Sequence, residues 1–128
     1  MKRILHTMLR VTDLNTSIKF YTNVMGMKLI RSLDQPEESY TLAFLGYGRE
    51  EDTAVLELTH NHGVTKYTMG NAYGHIAVGV DNIIEESKSI KNKGGEFALD
   101  VTALKGSNEL IAFVTDPDGY QIELIQRK

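Results

Sequence analysis

The sequence predicts an α+β fold built from two tandem βαβββ modules. Three observations carry this. The order strand, helix, strand, strand, strand reads twice along the 128 residues. The two readings align residue on residue. A histidine opens the first strand of each reading, and a glutamate interrupts an otherwise apolar last strand.

The first module opens with "ILHTMLRV", alternating and rich in branched residues, which predicts a strand starting by about residue 4. Asp13 is the expected helix N-cap. Leu14, Ile18, Tyr21 and Met25 recur on one helical face, and Gly26 is the expected stop. "MKLIRSL", "YTLAFLGYG" and "TAVLELTH" predict three further strands. The second module opens with the strand "HIAVGV". Asn82 can cap a helix, with Glu85 three residues on, and Ile83, Ser87 and Ile90 form its face. "KGG" at Lys93–Gly95 ends that helix, and "EFALDV", "ELIAFVTD" and "GYQIELIQ" follow as strands. "DPDG" predicts a tight turn, with Pro117 second and Gly119 fourth.

In the alignment His6 falls on His75, Val11 on Val80, "LAFL" on "IAFV", and Glu57 on Glu123. The difference in spacing falls in the "GYGREEDT" loop. One domain, 1–128, is expected, with module one at about 1–60, a linker at about 61–73 and module two at about 74–128.

Composition removes several classes. Fourteen Lys and Arg against 17 Asp and Glu give a net charge of −3, which argues against a nucleic-acid partner. With no cysteine there is no thiolate ligand, disulfide or cysteine nucleophile. The start "MKRILHTMLRV" has no apolar run, so neither a signal peptide nor a spanning helix is expected, and cytoplasm is the expected compartment.

An unpaired carboxylate in a buried strand is costly, so Glu57 between Leu56 and Leu58, and Glu123 between Ile122 and Leu124, need a reason. His6, Glu57, His75 and Glu123 together would supply two imidazole nitrogens and two carboxylates, a set that suits a borderline divalent ion. Two carboxylates balance its charge, and an octahedral ion would keep two positions open for water or substrate. His60 and His62 in "THNHG" could also bind metal, but they have no second-module counterpart. Arg10, four residues after His6, shares its strand face and could anchor an anionic group, while Gly79 stands at the matching place in module two and would leave that side open. "LKGSNE" at Leu104–Glu109 is either a mobile anion clamp or a solvated loop.

The segments "LHTMLRVTDLNTSIKFYTNVMGMKLIR", "LAFLGYG", "AVLELT", "YGHIAVGVD" and "IAFVTDPDGYQIELI" resemble the bacterial lactoylglutathione lyases (glyoxalase I) of the vicinal oxygen chelate superfamily, almost end to end. The resemblance implies the vicinal oxygen chelate, or glyoxalase, fold and a homodimer with metal sites between modules of different subunits. It implies His6, Glu57, His75 and Glu123 as metal ligands and Glu123, with Glu57, as the catalytic carboxylates. The substrate contacts it implies are Arg10, Asn61, His75 and Lys105. The implied substrate is the methylglyoxal–glutathione hemithioacetal, isomerised to S-lactoylglutathione through an enediolate. His60 and His62 stand where relatives carry aromatics, so changed substrate contacts are expected there. A histidine at the first ligand position, an early first strand and a compact linker resemble the branch active with nickel, so Ni²⁺ is expected, with Zn²⁺ or Co²⁺ as alternatives. The rival readings within the superfamily are a dioxygenase, a thiol transferase and a metal-free binding protein.

Overall fold

A computed structural model describes residues 1–127 and divides the chain into two compact units, Met1–Thr68 and Met69–Lys128. Unit one holds β1 (His6–Arg10), α1 (Leu14–Lys19) continuing into a π-helical turn (Phe20–Val24), β2 (Lys28–Gln35), β3 (Tyr40–Gly46) and β4 (Val55–Asn61). Unit two holds β5 (His75–Val80), α2 (Ile83–Asn92), β6 (Glu96–Ala103), β7 (Leu110–Thr115) and β8 (Gln121–Gln126). The sheets have the orders β1-β4-β3-β2 and β5-β8-β7-β6. In each, the first and last strands pair parallel and the other neighbours pair antiparallel. Each unit is thus a βαβββ module.

Each sheet packs its helix on one face. Leu9, Leu56 and Leu58 are buried beneath the first helix, and Ile122 and Leu124 beneath the second. Removing such side chains from water is the main favourable term in folding. The second helix buries Ile83, Ser87 and Ile90, the face that periodicity predicts.

The first helix departs from expectation. Its buried residues are Ser17, Phe20, Tyr21 and Met25, whereas Leu14 and Ile18 are only half-buried. The cause is the π-helical turn, in which Met25 N–H donates to the carbonyl of Phe20, five residues back, at 3.0 Å. The extra residue in the turn rotates the buried stripe. Thr22 Oγ1 donates to the Ile18 carbonyl at 2.7 Å. Two boundaries also move: β1 starts at His6 rather than residue 4, and β4 runs through Asn61, the residue expected to open the linker.

The expected caps are in place. Asp13 and Asn82 each accept a hydrogen bond from the backbone N–H three residues on, Thr16 and Glu85 respectively, at 3.1 Å in both cases. That Thr16 N–H bond to its charged form holds the Asp13 carboxyl below the usual carboxylate range. α2 closes with Gly94 at φ +89°, Gly95 N–H reaching the Ile90 carbonyl at 2.8 Å and Gly94 N–H the Lys91 carbonyl at 3.0 Å. In the last turn Gly119 N–H donates to the Asp116 carbonyl at 3.0 Å, and the Asp116 side chain accepts from the N–H groups of Asp118 and Tyr120 at 2.9 and 2.8 Å.

Asn82→Ala leaves the Glu85 N–H without its cap. It should lower stability by about 1 kcal/mol, read as a lower urea midpoint at unchanged slope.

Candidate active site

Strand register places the chemistry. In unit one His6 lies opposite Val55 and Met8 opposite Glu57, so Glu57 sits two positions further along the neighbouring strand and on the same face as His6. His6 Nε2 and Glu57 Oε1 are 3.3 Å apart. Unit two repeats the stagger: His75 lies opposite Gln121 and Ala77 opposite Glu123. There His75 Nε2 and Glu123 Oε1 are 3.1 Å apart. The two environments match, with side-chain exposures of 40% and 13% for His6 and Glu57 and 41% and 14% for His75 and Glu123. The glutamates break the apolar strands because they point to the face away from the helix.

An aromatic ring supports each histidine. Phe44, opposite Glu57, meets the His6 ring edge-on at 5.8 Å, and Phe113, opposite Glu123, meets the His75 ring edge-on at 5.0 Å. The pairs differ further out. Thr59 Oγ1 donates to Glu57 Oε2 at 3.0 Å, whereas the matching residue in unit two is Ile125. Arg31 lies over Phe44 at 3.8 Å and forks onto both oxygens of Glu50 at 2.8 and 3.1 Å, while Leu99 stands opposite Phe113. The Glu50 hydrogen bonds push the Arg31 pKa up, and Arg31 holds the Glu50 carboxyl below the usual range. Sequence reasoning missed Phe44, Phe113, Thr59 and Arg31. The signal for the rings was available in the aligned "LAFL" and "IAFV".

Of the four expected ligands, the structure brings together His6 with Glu57 and His75 with Glu123. Among the described residues no group of three or more His, Cys, Asp or Glu side chains converges. Each pair offers an imidazole nitrogen and a carboxylate oxygen on an accessible sheet face, donors that fit a borderline divalent ion. Arg10, opposite Thr59, and Asn61, two residues past Thr59, lie on the Glu57 face. Lys105 sits in a tight loop closed by Leu104 N–H on the Glu109 carbonyl at 2.8 Å, with Gly106 at φ +83°.

His60 alternates to the helix face. Its Nδ1 donates to the Val11 carbonyl at 3.2 Å, and its ring lies 6.0 Å from that of His62, which bonds Thr41 Oγ1 through Nε2 at 2.8 Å. A cavity of about 400 Å³ beside the start of α1 is lined by Thr12, Asp13, Thr41, His60 and Val64, not by the His6–Glu57 pair. The place beside Gly79 is not open: Cβ and Cγ of Arg127 lie 3.9 Å from where a side chain would begin.

Two βαβββ units carrying the same His/Glu pair at the same place define a class of duplicated α+β proteins. The profile of the Glyoxalase/Bleomycin resistance protein/Dioxygenase superfamily matches residues 3–124, and the chain belongs to that superfamily. It is 58% identical over 126 residues to the lactoylglutathione lyase of Salmonella typhimurium, covering 98% of this chain and 93% of the relative. It is 60% identical over 126 residues to a probable lactoylglutathione lyase of Vibrio cholerae, covering 98% and 91%. Among solved structures, glyoxalase I from Zea mays superposes with a TM-score of 0.94 at 48% identity, covering 98% of this chain, which spans 44% of the maize protein. The trypanothione-dependent glyoxalase I of Leishmania major superposes with a TM-score of 0.87 at 50% identity, covering 98% and 87%.

The helix-side position of His60 predicts that His60→Ala leaves bound metal and turnover within about twofold of the parent, checked by elemental analysis and steady-state rates. A larger loss would mean that this face contributes to the site.

Proposed function

We propose that this chain is a metal-dependent lactoylglutathione lyase, converting the methylglyoxal–glutathione hemithioacetal to S-lactoylglutathione. The observation that carries the reading is the repeated His/Glu pair, on a chain 58% identical over 126 residues to a named lactoylglutathione lyase.

His6, Glu57, His75 and Glu123 would hold the divalent ion. When bound, it supplies Lewis acidity toward the two vicinal oxygens of the substrate. Glu123 takes the proton from the thiol-bearing carbon. The C–H electron pair moves into the carbon–carbon bond and the carbonyl π pair moves onto its oxygen, leaving the substrate as an enediolate. Glu123 then returns the proton to the neighbouring carbon, and the hydroxyl proton of the thiol-bearing carbon passes to the neighbouring oxygen, leaving a thioester carbonyl beside a secondary alcohol. The two glutamates divide the work because Thr59 ties one oxygen of Glu57, while Ile125 gives Glu123 no such hydroxyl. Glu57 stays fixed as a ligand and Glu123 is free to swing. Arg10, Asn61 and Lys105 hold the glutathione portion, with His75 beside the reacting carbons.

The active form is a homodimer. His6 and Glu57 of one chain complete the site with His75 and Glu123 of its partner. Exposed apolar residues on the pair-bearing faces support a covered interface: Met8 at 37%, Leu33 at 46% and Leu99 at 42%. Among the described residues no helix is long and apolar enough to cross a membrane. With no cysteine in the chain, the reducing cytoplasm, where glutathione is available, is the proposed compartment.

Thioester formation, followed by its ultraviolet absorbance, tests the reaction. Glu123→Gln should lower kcat by about 10²–10⁴-fold, the usual worth of a positioned acid–base group. Turnover near the parent rate would move the base elsewhere, and a metal-loaded parent with no activity would remove the reading itself.

The proposed metal is Ni²⁺, with Zn²⁺ or Co²⁺ as alternatives, since imidazole and carboxylate donors suit all three. After chelator stripping and re-addition of each ion at equal concentration, turnover should be highest with Ni²⁺. Higher turnover with Zn²⁺ would overturn the metal assignment and leave the reaction in place.

A further inference from the structure

We propose that Arg127 is a second anion-binding residue, which grips the carboxylate end of the peptide-thiol co-substrate alongside the Lys105 loop; this rests on the lyase reading above.

Three features of unit two lead there. The first is its face. Glu123 and Ile125 alternate with Ile122, Leu124 and Gln126, and the last three lie on the helix side: Ile122 and Leu124 are buried, and Gln126 Oε1 accepts from Ile83 N–H at the start of α2 at 3.0 Å. Arg127 N–H continues the strand ladder by donating to the Val80 carbonyl at 2.8 Å. Alternation then turns the Arg127 side chain to the Glu123 face.

The second feature is the exchange of positions between modules. In unit one the two sheet-end places on the Glu57 face hold Arg10 and Asn61. In unit two the same places hold Gly79 and Arg127. The aliphatic stem of Arg127 lies 3.9 Å from the position a Gly79 side chain would fill. The arginine stands just past the end of the neighbouring strand, its stem within van der Waals reach of the Gly79 place. Each module therefore presents a guanidinium at the far end of its pair-bearing face, Arg10 in one and Arg127 in the other, and glutathione carries two carboxylates.

The third is the tie to the loop. Arg127 Nε and Nη2 donate to Glu109 Oε2 at 3.0 and 2.9 Å. Glu109 closes the Lys105 loop through its carbonyl, and its N–H donates to Ser107 Oγ at 3.0 Å. A guanidinium has five N–H donors. Glu109 Oε2 takes two, leaving three for a second carboxylate. Glu109 thereby orients the fork and couples it to the Lys105 loop, so both cations address the same end of the ligand. An arginine with planar paired donors suits a carboxylate better than a lysine point charge.

The experiment compares the parent with Arg127→Ala on two substrates: the methylglyoxal adduct of glutathione, and that of glutathione amidated at its glycyl carboxylate. Arg127→Ala should raise KM about tenfold for the first, the worth of one charge-assisted hydrogen bond, with kcat within about twofold. It should cause no further rise for the amide, which has already lost the partner of Arg127. Arg127→Lys should fall between. An unchanged KM, or an equal rise for both substrates, would show a surface tie only and overturn the assignment. If the parent turns over neither substrate, the lyase reading fails by itself. Calorimetric binding of S-methylglutathione then decides Arg127: about tenfold weaker binding in Arg127→Ala supports it, and equal or no binding overturns it.

Discussion

The parallel pairing of first and last strands is the constraint on which the site depends. It sets His6 and Glu57, and likewise His75 and Glu123, one strand apart and two residues out of step on one face. A one-residue slip would send each glutamate to the helix side, where a carboxylate among leucines has no partner. The apolar neighbours lock the register: Leu56 and Leu58 must lie under the first helix, Ile122 and Leu124 under the second, and the intervening glutamate can then only face outward. Core burial and the placement of the chemistry are one requirement, met by one alternation.

Duplication supplies the second pair, and the departures from symmetry give the two pairs different surroundings. Thr59 holds Glu57 where Ile125 leaves Glu123 untied. Arg31 stacks on Phe44 where Leu99 faces Phe113. Arginine stands on the first strand in one module and just past the last in the other. All of these differences lie outside the four His and Glu positions, so the donor set stays symmetric while the surroundings differ.

Much of this was legible in the sequence because it follows from alternation and capping chemistry. Strand order, the Asn82 cap, the Gly94–Gly95 ending and the Asp116 turn all rest on local rules that residue type alone reveals. The first helix was read only in part because a π-helical turn adds a residue without altering composition: Tyr21 and Met25 are buried as expected, while Ser17 takes the innermost place and Leu14 and Ile18 are half-buried. The extension of β4 through Asn61 was hidden because a polar tail gives no apolar pattern. His60 and His62 could bind metal by chemical type and stand where relatives carry aromatics; strand parity places His60 on the helix face, away from the Glu57 face. The link from Arg127 to Glu109 joins a strand end to a distant loop, a contact no local pattern encodes.

A metal titration on the stripped, otherwise intact protein tests most directly whether the two pairs act as one site. If the first-module pair of one chain and the second-module pair of its partner hold the same ion, calorimetric binding of Ni²⁺ should saturate at one ion per chain. Saturation at two ions per chain would mean that each His/Glu pair holds its own ion, and would contradict a shared site.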